Sequence, residues 1–146
     1  MDALIPWYVT GFCDGESTFT YSRSGKNLSL YFAIKLNFED RHLLYKIKDF
    51  FGVGKMYVGK PMPPGKYSGH TRTYFYYRVS KISELSKVIE HFIQYPLVGK
   101  KALSFSVWKE MVSLKTAYRK PNRDELDRLA HKLSALTGKN TGLHKN

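Results

Sequence analysis

The stretch over residues 28–37 constrains this chain more than any other. Leu28, Leu30, Phe32, Ile34 and Leu36 alternate there with Ser29, Tyr31, Ala33, Lys35 and Asn37. A strand sends successive side chains to opposite faces, so strict period two over this length predicts a sheet with one apolar and one polar face. The apolar face must be covered by another layer, and the polar face must meet water or a ligand. Residues 17–23 read as a partner strand, joined to the first by a turn at Ser24, Gly25, Lys26 and Asn27.

The same arrangement recurs along the chain. Residues 5–13, with Pro6 suited to a first turn, read as a short helix ending near Asp14 and Gly15. Asp40 is expected to cap a second helix that carries Leu43, Leu44, Ile47, Phe50 and Phe51 on one side and stops at Gly52, Val53 and Gly54. Residues 55–60 and 73–80 read as two further strands around a loop holding Pro61, Pro63, Pro64, Gly65 and Gly69. Ser80 or Ser83 opens a helix presenting Leu85, Val88, Ile89, Phe92 and Ile93. Pro96 interrupts the chain before a helix over residues 99–118, and Asn122 caps a last one with Leu126, Leu129, Leu133 and Leu136 ahead of Gly138. The α-β-β-α-β-β-α order predicts an α+β fold, a four-stranded antiparallel sheet with helices on one face. Residues 1–138 read as a single domain and residues 139–146 as a polar tail.

Composition narrows the function. With 146 residues, 42% of them hydrophobic and 15% aromatic, the chain has material for one core, which excludes a disordered tail. Cys13 is the single cysteine, so no internal disulfide framework forms, and it is expected to be a small apolar filler. No apolar run approaches the roughly 18 residues of a membrane span. Asp2 and Pro6 make the first residues unlike a signal peptide, so the protein is expected to stay inside a cell or organelle. Lys and Arg number 24 against 12 Asp and Glu, a net charge of +12 that attracts nucleic acid or an anionic surface. The first 40 residues nevertheless carry −2, and the remaining 106 carry +14.

By strand parity the polar face holds Thr20, Ser22, Ser29, Tyr31, Lys35, Lys55, Tyr57, Tyr74, Tyr76 and Arg78. Cations for phosphates, with hydroxyl and aromatic groups for base edges and sugars, make this a candidate nucleic-acid platform; the alternative is a solvated sheet face on which Thr and Tyr are simply good strand formers. Trp108 and Phe105, at helical spacing, read as core, and the run from Arg119 through Arg123 reads equally as a solvated linker or a phosphate contact. His42, His70, His91, His131 and His144 form no zinc pattern, so any metal would be held by oxygen, as magnesium and calcium are.

Asp14 and Glu16 stand at the C-terminal end of the first helix, where the helix dipole disfavours carboxylates. A divalent cation on Glu16 and a free helix-end carbonyl would offset that cost. Gly11 and Gly15, four apart, lie on one helical face and let another backbone approach.

The segment Val9-Thr10-Gly11-Phe12-Cys13-Asp14-Gly15-Glu16-Ser17 resembles the LAGLIDADG signature. The likeness continues in residues 50–55, similar to the family's Gly-x-Gly turn into the third strand, and in residues 95–101, similar to its loop before the helix that follows. With the element order it covers roughly residues 4–117. The resemblance implies a saddle-shaped sheet and a homing endonuclease, encoded by a mobile intron or intein, in a bacterial or archaeal cytoplasm, a mitochondrion or a chloroplast. Such an enzyme cuts both strands of double-stranded DNA across the minor groove of a long, near-palindromic target.

On this likeness Glu16 is the catalytic acid and binds Mg2+, with the Gly15 carbonyl as second ligand; Ca2+ is expected to support binding without cleavage. Asp14 matches the motif's earlier acid and reads as a helix-end or interface residue ahead of a metal ligand. Lys100 or Lys101 is the basic residue near the scissile phosphate. Leu36 stands where family members often place a polar residue that positions the attacking water, and Asn37 beside it is the candidate for that role. One signature implies a homodimer, with Tyr8, Gly11, Phe12 and Gly15 at the two-fold axis. Ten strand residues at about 3.3 Å each span about ten base pairs per half-site. The alternatives are an intron-splicing maturase, which would bind RNA, a DNA-binding regulator without cleavage, or one half of a heterodimer.

Overall fold

In the computed structural model, residues 3–59 and 73–138 are described. The Pro- and Gly-rich loop, the end of the third strand at Lys60 and the 139–146 tail lie outside them. The order is α1 (Pro6–Glu16), β1 (Ser17–Ser24), β2 (Asn27–Asn37), a 3-10 turn (Phe38–Asp40), α2 (Arg41–Phe51), β3 (Lys55–Val58), β4 (Tyr74–Val79), α3 (Ile82–Gln94), α4 (Lys101–Ala117) and α5 (Arg123–Thr137). All strand pairs are antiparallel, in the spatial order β1-β2-β4-β3.

The alternation in residues 28–37 does what period two requires. Leu28, Leu30, Phe32 and Ile34 are buried, as are Phe19 and Tyr21 on β1 and Phe75, Tyr77 and Val79 on β4. Helices supply the other half of the core through Val9, Leu44, Ile47, Leu85, Val88, Phe92, Trp108 and Met111. Phe19 lies at the centre, with ring centroids of Phe32, Phe92, Phe105 and Trp108 within 5.2 to 5.5 Å. Trp108 is fully buried and donates its indole N–H to the Thr20 carbonyl at 3.1 Å, which satisfies a backbone group of the edge strand. Cys13 is buried as expected, and desolvation pushes its thiol pKa up to about 12.

Some local expectations give way to stronger contacts. Asp40 precedes α2 but makes no side-chain cap, because the chain enters the helix from a 3-10 turn. Neither Ser80 nor Ser83 caps α3, which starts after Lys81. Asn122 does cap α5, its side chain accepting from the Glu125 N–H at 3.0 Å. Ile93 is 58% exposed, rotated one position past Phe92 and off the buried stripe. Gly54 has φ +96 and could carry no Cβ without meeting Tyr77 Cε1 at 2.6 Å, so the turn into β3 needs glycine. Among the described residues no helix is long and apolar enough to cross a membrane.

Candidate nucleic-acid interface and active site

The helices cover one face of the sheet, and cross-strand register assembles the other. Thr18, Ala33, Arg78 and Lys55 form one row across four strands; Lys35, Tyr76 and Tyr57 form the next; Tyr74 pairs with Asn37, Thr20 with Tyr31 and Ser22 with Ser29. The expected polar set therefore shares one face. Ser22, Ser29, Lys35, Lys55 and Tyr57 are exposed, and Tyr31, Tyr74, Tyr76 and Arg78 are half-buried. Thr20 is the exception at 5% exposure: it has the face that parity assigns, but its small side chain is flanked in register by the much larger Tyr31. The Arg78 guanidinium lies 4.0 Å from the centroid of the Tyr31 ring, and Lys35 Nζ lies 4.7 Å from that of Tyr74. Among the described residues, the ion pairs are Arg23 with Asp127 and Arg128 with Glu125. The cations of the open face thus form no ion pair with the described residues.

At one end of this face, β1 begins directly after α1, so Glu16 adjoins Ser17, the first strand residue. Helix α1 runs through Glu16, three residues further than the hydrophobic pattern suggests, and both acids fall in its last turn. They have different surroundings. Both Asp14 carboxylate oxygens are engaged, accepting from Val98 N–H at 2.9 Å and Gly99 N–H at 3.1 Å. Asp14 therefore ties α1 to the loop before α4, as a helix-end residue. The Glu16 side chain is exposed, with no hydrogen bond or ion pair to the described residues.

The positive charge that the helix end calls for comes first from the chain itself. Lys101 donates its ammonium to the Asp14 carbonyl at 3.2 Å and approaches the Gly15 carbonyl at 3.5 Å, while the Ser17 hydroxyl donates to the Cys13 carbonyl at 2.8 Å. The expectation of a cation there thus finds a lysine 86 positions away from Gly15. Lys100, exposed at the start of α4, joins Lys101, Ser104, Ser17, Thr18 and Thr137 around a cavity of about 150 Å³. Asn37 lies on the open face at the sheet end where β1 begins, three residues beyond Ile34, the partner of Ser17. Leu36 packs instead against the core.

Helix α1 has two unlike sides. Val9, Thr10 and Cys13 are buried against the chain. On the other side Gly11 and Gly15 are exposed, a Cβ at either would meet none of the described residues within 4 Å, and Tyr8 stacks along Phe12 at 6.2 Å. Two glycines in a helix cost about 1 kcal/mol each relative to alanine, and no packing among the described residues explains them. Ile5, Trp7 and Tyr8 at the start of α1 are exposed apolar residues as well, at 66%, 56% and 44%.

A buried network anchors the inner side, and periodicity carries no sign of it. The Thr10 hydroxyl donates to the Tyr95 carbonyl at 2.8 Å, so its lone pair accepts from His91 Nε2, 2.9 Å away. That fixes His91 as the neutral Nε2–H tautomer. Its ring meets Phe50, Phe51 and Phe92 edge-on and stacks on Tyr95, and desolvation lowers its pKa to about 4.

Comparison with known proteins gives this geometry a family. The "Probable intron-encoded endonuclease 2" of Neurospora crassa is 33% identical over 120 residues, covering 76% of this chain and 24% of that protein. The chain spans about a quarter of the length of the curated relatives it matches. Among solved structures, the LAGLIDADG meganuclease I-AabMI bound to uncleaved DNA superposes with a TM-score of 0.69 at 33% identity, over 97% of this chain and 47% of that one. The homing endonuclease I-TnaI shares the fold, with a TM-score of 0.73 at 23% identity over 94% of this chain and 97% of its own. The LAGLIDADG endonuclease family model matches residues 9–112. That span holds the signature helix, all four strands and the helices through most of α4, and on it the chain belongs to the LAGLIDADG endonuclease family.

Proposed function

We propose that this chain is a site-specific, metal-dependent DNA endonuclease that binds double-stranded DNA on the open sheet face and cuts it beside Glu16. One observation carries the reading: Glu16, exposed and without a partner among the described residues, stands where the side of α1 that no described residue covers meets the cationic sheet face. A carboxylate in a basic protein is unfavourable next to phosphate unless a cation joins them. DNA complexes of similar nucleases support the reading, as do relatives named as intron-encoded endonucleases.

The donor set fits a hard divalent cation in part. Among the described residues no three or more His, Cys, Asp or Glu side chains converge on a metal site. Glu16 and the Gly15 carbonyl supply two oxygens, which would hold Mg2+ together with phosphate oxygens and a second such helix end. When bound, the ion supplies Lewis acidity to the phosphodiester and an acidified water. The chain does the rest. Lys35 and Lys55 attract the backbone, Asn37 offers an amide at the same sheet end as Glu16, and Lys100 and Lys101 add positive charge to the helix end. Lys101 also prevents the Asp14 and Gly15 carbonyls from repelling a phosphate.

The bare side of α1 completes the reading. Tyr8, Gly11, Phe12 and Gly15 would pack against the same helix of a second unit, a second copy of this chain in a homodimer. The double length of I-AabMI relative to the matched span also fits a second unit within one longer chain. The two differ in sedimentation, since a homodimer of this chain has about twice its 16.9 kDa mass. Leu36, turned into the core, favours a second reading in which the fold binds a target without cutting it.

The deciding experiment offers purified protein and Mg2+ a plasmid library of randomised near-palindromic sites, with Glu16→Gln in parallel. Cleavage at one shared sequence, abolished in Glu16→Gln while DNA binding persists, is the expected result. Binding without any cutting would favour the regulator or maturase, and cutting by the variant would remove Glu16 from the site.

A further inference from the structure

His91 has a second ring nitrogen, and no described residue engages it. Its Nε2–H is committed to the Thr10 hydroxyl, which leaves Nδ1 as a bare acceptor. The ring is 8% exposed, so most of it has left water. Nδ1 is not sealed in, however: among the described residues, Arg78 Nε is the one fully buried side-chain N or O atom that lacks a partner. His91 lines a groove of about 490 Å³ between the end of α2 and α3, within the size range of small-molecule sites. Phe50, Phe51 and Tyr95 wall this groove, and Lys87, Glu90 and Gln94 stand exposed at its rim. It belongs to the helical layer, and no residue of the open sheet face lines it.

The chemistry of this place selects a ligand class. A neutral ring nitrogen with a free lone pair needs a donor, so an anion or a carbonyl gains nothing from it. Among the described residues no three His, Cys, Asp or Glu side chains converge, and Glu90 is the single carboxylate in the lining, so a metal ion lacks a donor set. Aromatic walls suit a flat ring, which buries apolar area against them and aims an in-plane donor at Nδ1. We propose that this groove is a binding site for a small planar aromatic ligand carrying a ring N–H or phenolic O–H, with His91 Nδ1 as the acceptor that positions it. The site does not depend on the nuclease reading. It is nevertheless joined to the signature helix, since donation to Nδ1 polarises the ring and strengthens its Nε2–H bond to Thr10 of α1.

The test offers the protein indole and, as a probe of similar shape without the donor, N-methylindole, and follows the His91 Nδ1 resonance by NMR in protein with isotope-labelled histidine. Indole is expected to bind saturably, to move that resonance, and to bind about 5- to 150-fold more tightly than N-methylindole, the cost of leaving the acceptor unpaired. Phe50→Ala, which removes a wall, should weaken both probes. His91→Phe, which keeps a ring and loses the acceptor, should bind both alike; if that variant does not fold, the two probes on the wild type decide by themselves. Equal affinity of the two probes for the wild type would show an apolar surface that does not use Nδ1. A His91 resonance unmoved at saturating indole would place the binding elsewhere, and no binding at millimolar indole would mean that water serves Nδ1. Each of these three results would overturn the assignment.

Discussion

The two faces of the sheet are built from the same four strands but are completed in different ways. On the covered face, polar groups find partners within the chain: Tyr77 OH donates to the Val53 carbonyl at 2.7 Å, Tyr21 OH meets Ser134 Oγ at 2.7 Å, and Trp108 reaches the Thr20 carbonyl. Burial raises the Tyr77 phenol pKa accordingly. On the open face Arg78 Nε has no partner among the described residues, Lys35 lies against the Tyr74 ring and Lys55 stands opposite Arg78. The first face spends its interactions on folding and the second holds them for something outside. Helix α1 repeats the contrast within one element, with Thr10 and Cys13 satisfied inside and Gly11 and Gly15 bare outside. So do Asp14 and Glu16, two residues apart.

The contrast can be broken at several points. Phe32→Ala on the covered face removes a fully buried ring from the aromatic cluster and should cost about 3–5 kcal/mol of unfolding free energy in a denaturant titration. Lys55→Ala on the open face should stay within about 0.5 kcal/mol in the same titration. Equal losses would mean that the open face also holds the fold together.

His91 gives a smaller, pH-dependent effect. Its pKa is near 4 in the folded protein and near 6.5 when unfolded, so between those values the unfolded chain binds more protons. Stability from this group is complete above pH 6.5 and is lost as pH falls towards 4. His91→Gln, which keeps a donor for Thr10, should remove this component from the pH dependence of Tm. An unchanged pH profile would show that His91 is solvated and that its link to α1 is loose.

Much of this was legible because it is local. Period two in residues 28–37, the paired strands and the Asn122 cap depend on neighbours in sequence, and the structure keeps them. The LAGLIDADG resemblance named the right family from residues 9–17 and the element order. What escaped depends on distant parts of the chain. The Thr10 to His91 bond joins residues 81 apart, and the Lys101 ammonium reaches α1 from across the fold. No periodicity encodes either, although Thr10 on an otherwise apolar helix side was a usable hint. Thr20 shows the limit of parity, which assigns a face and says nothing of what stands beside a residue there. Helix α5, beyond the matched family span, docks on β1 through Tyr21 to Ser134 and Arg23 to Asp127, contacts that only the folded chain brings together.

The central claim is that the open sheet face is the DNA interface, and salt dependence tests it most directly. The slope of log binding constant against log salt should be measured for the wild type and for Lys35→Ala combined with Lys55→Ala. If these lysines meet phosphates, the slope should fall by about 0.9 for each lysine in each unit, with thermal stability unchanged. An unchanged slope would contradict the account and would move any DNA contact to the basic surface of the helices.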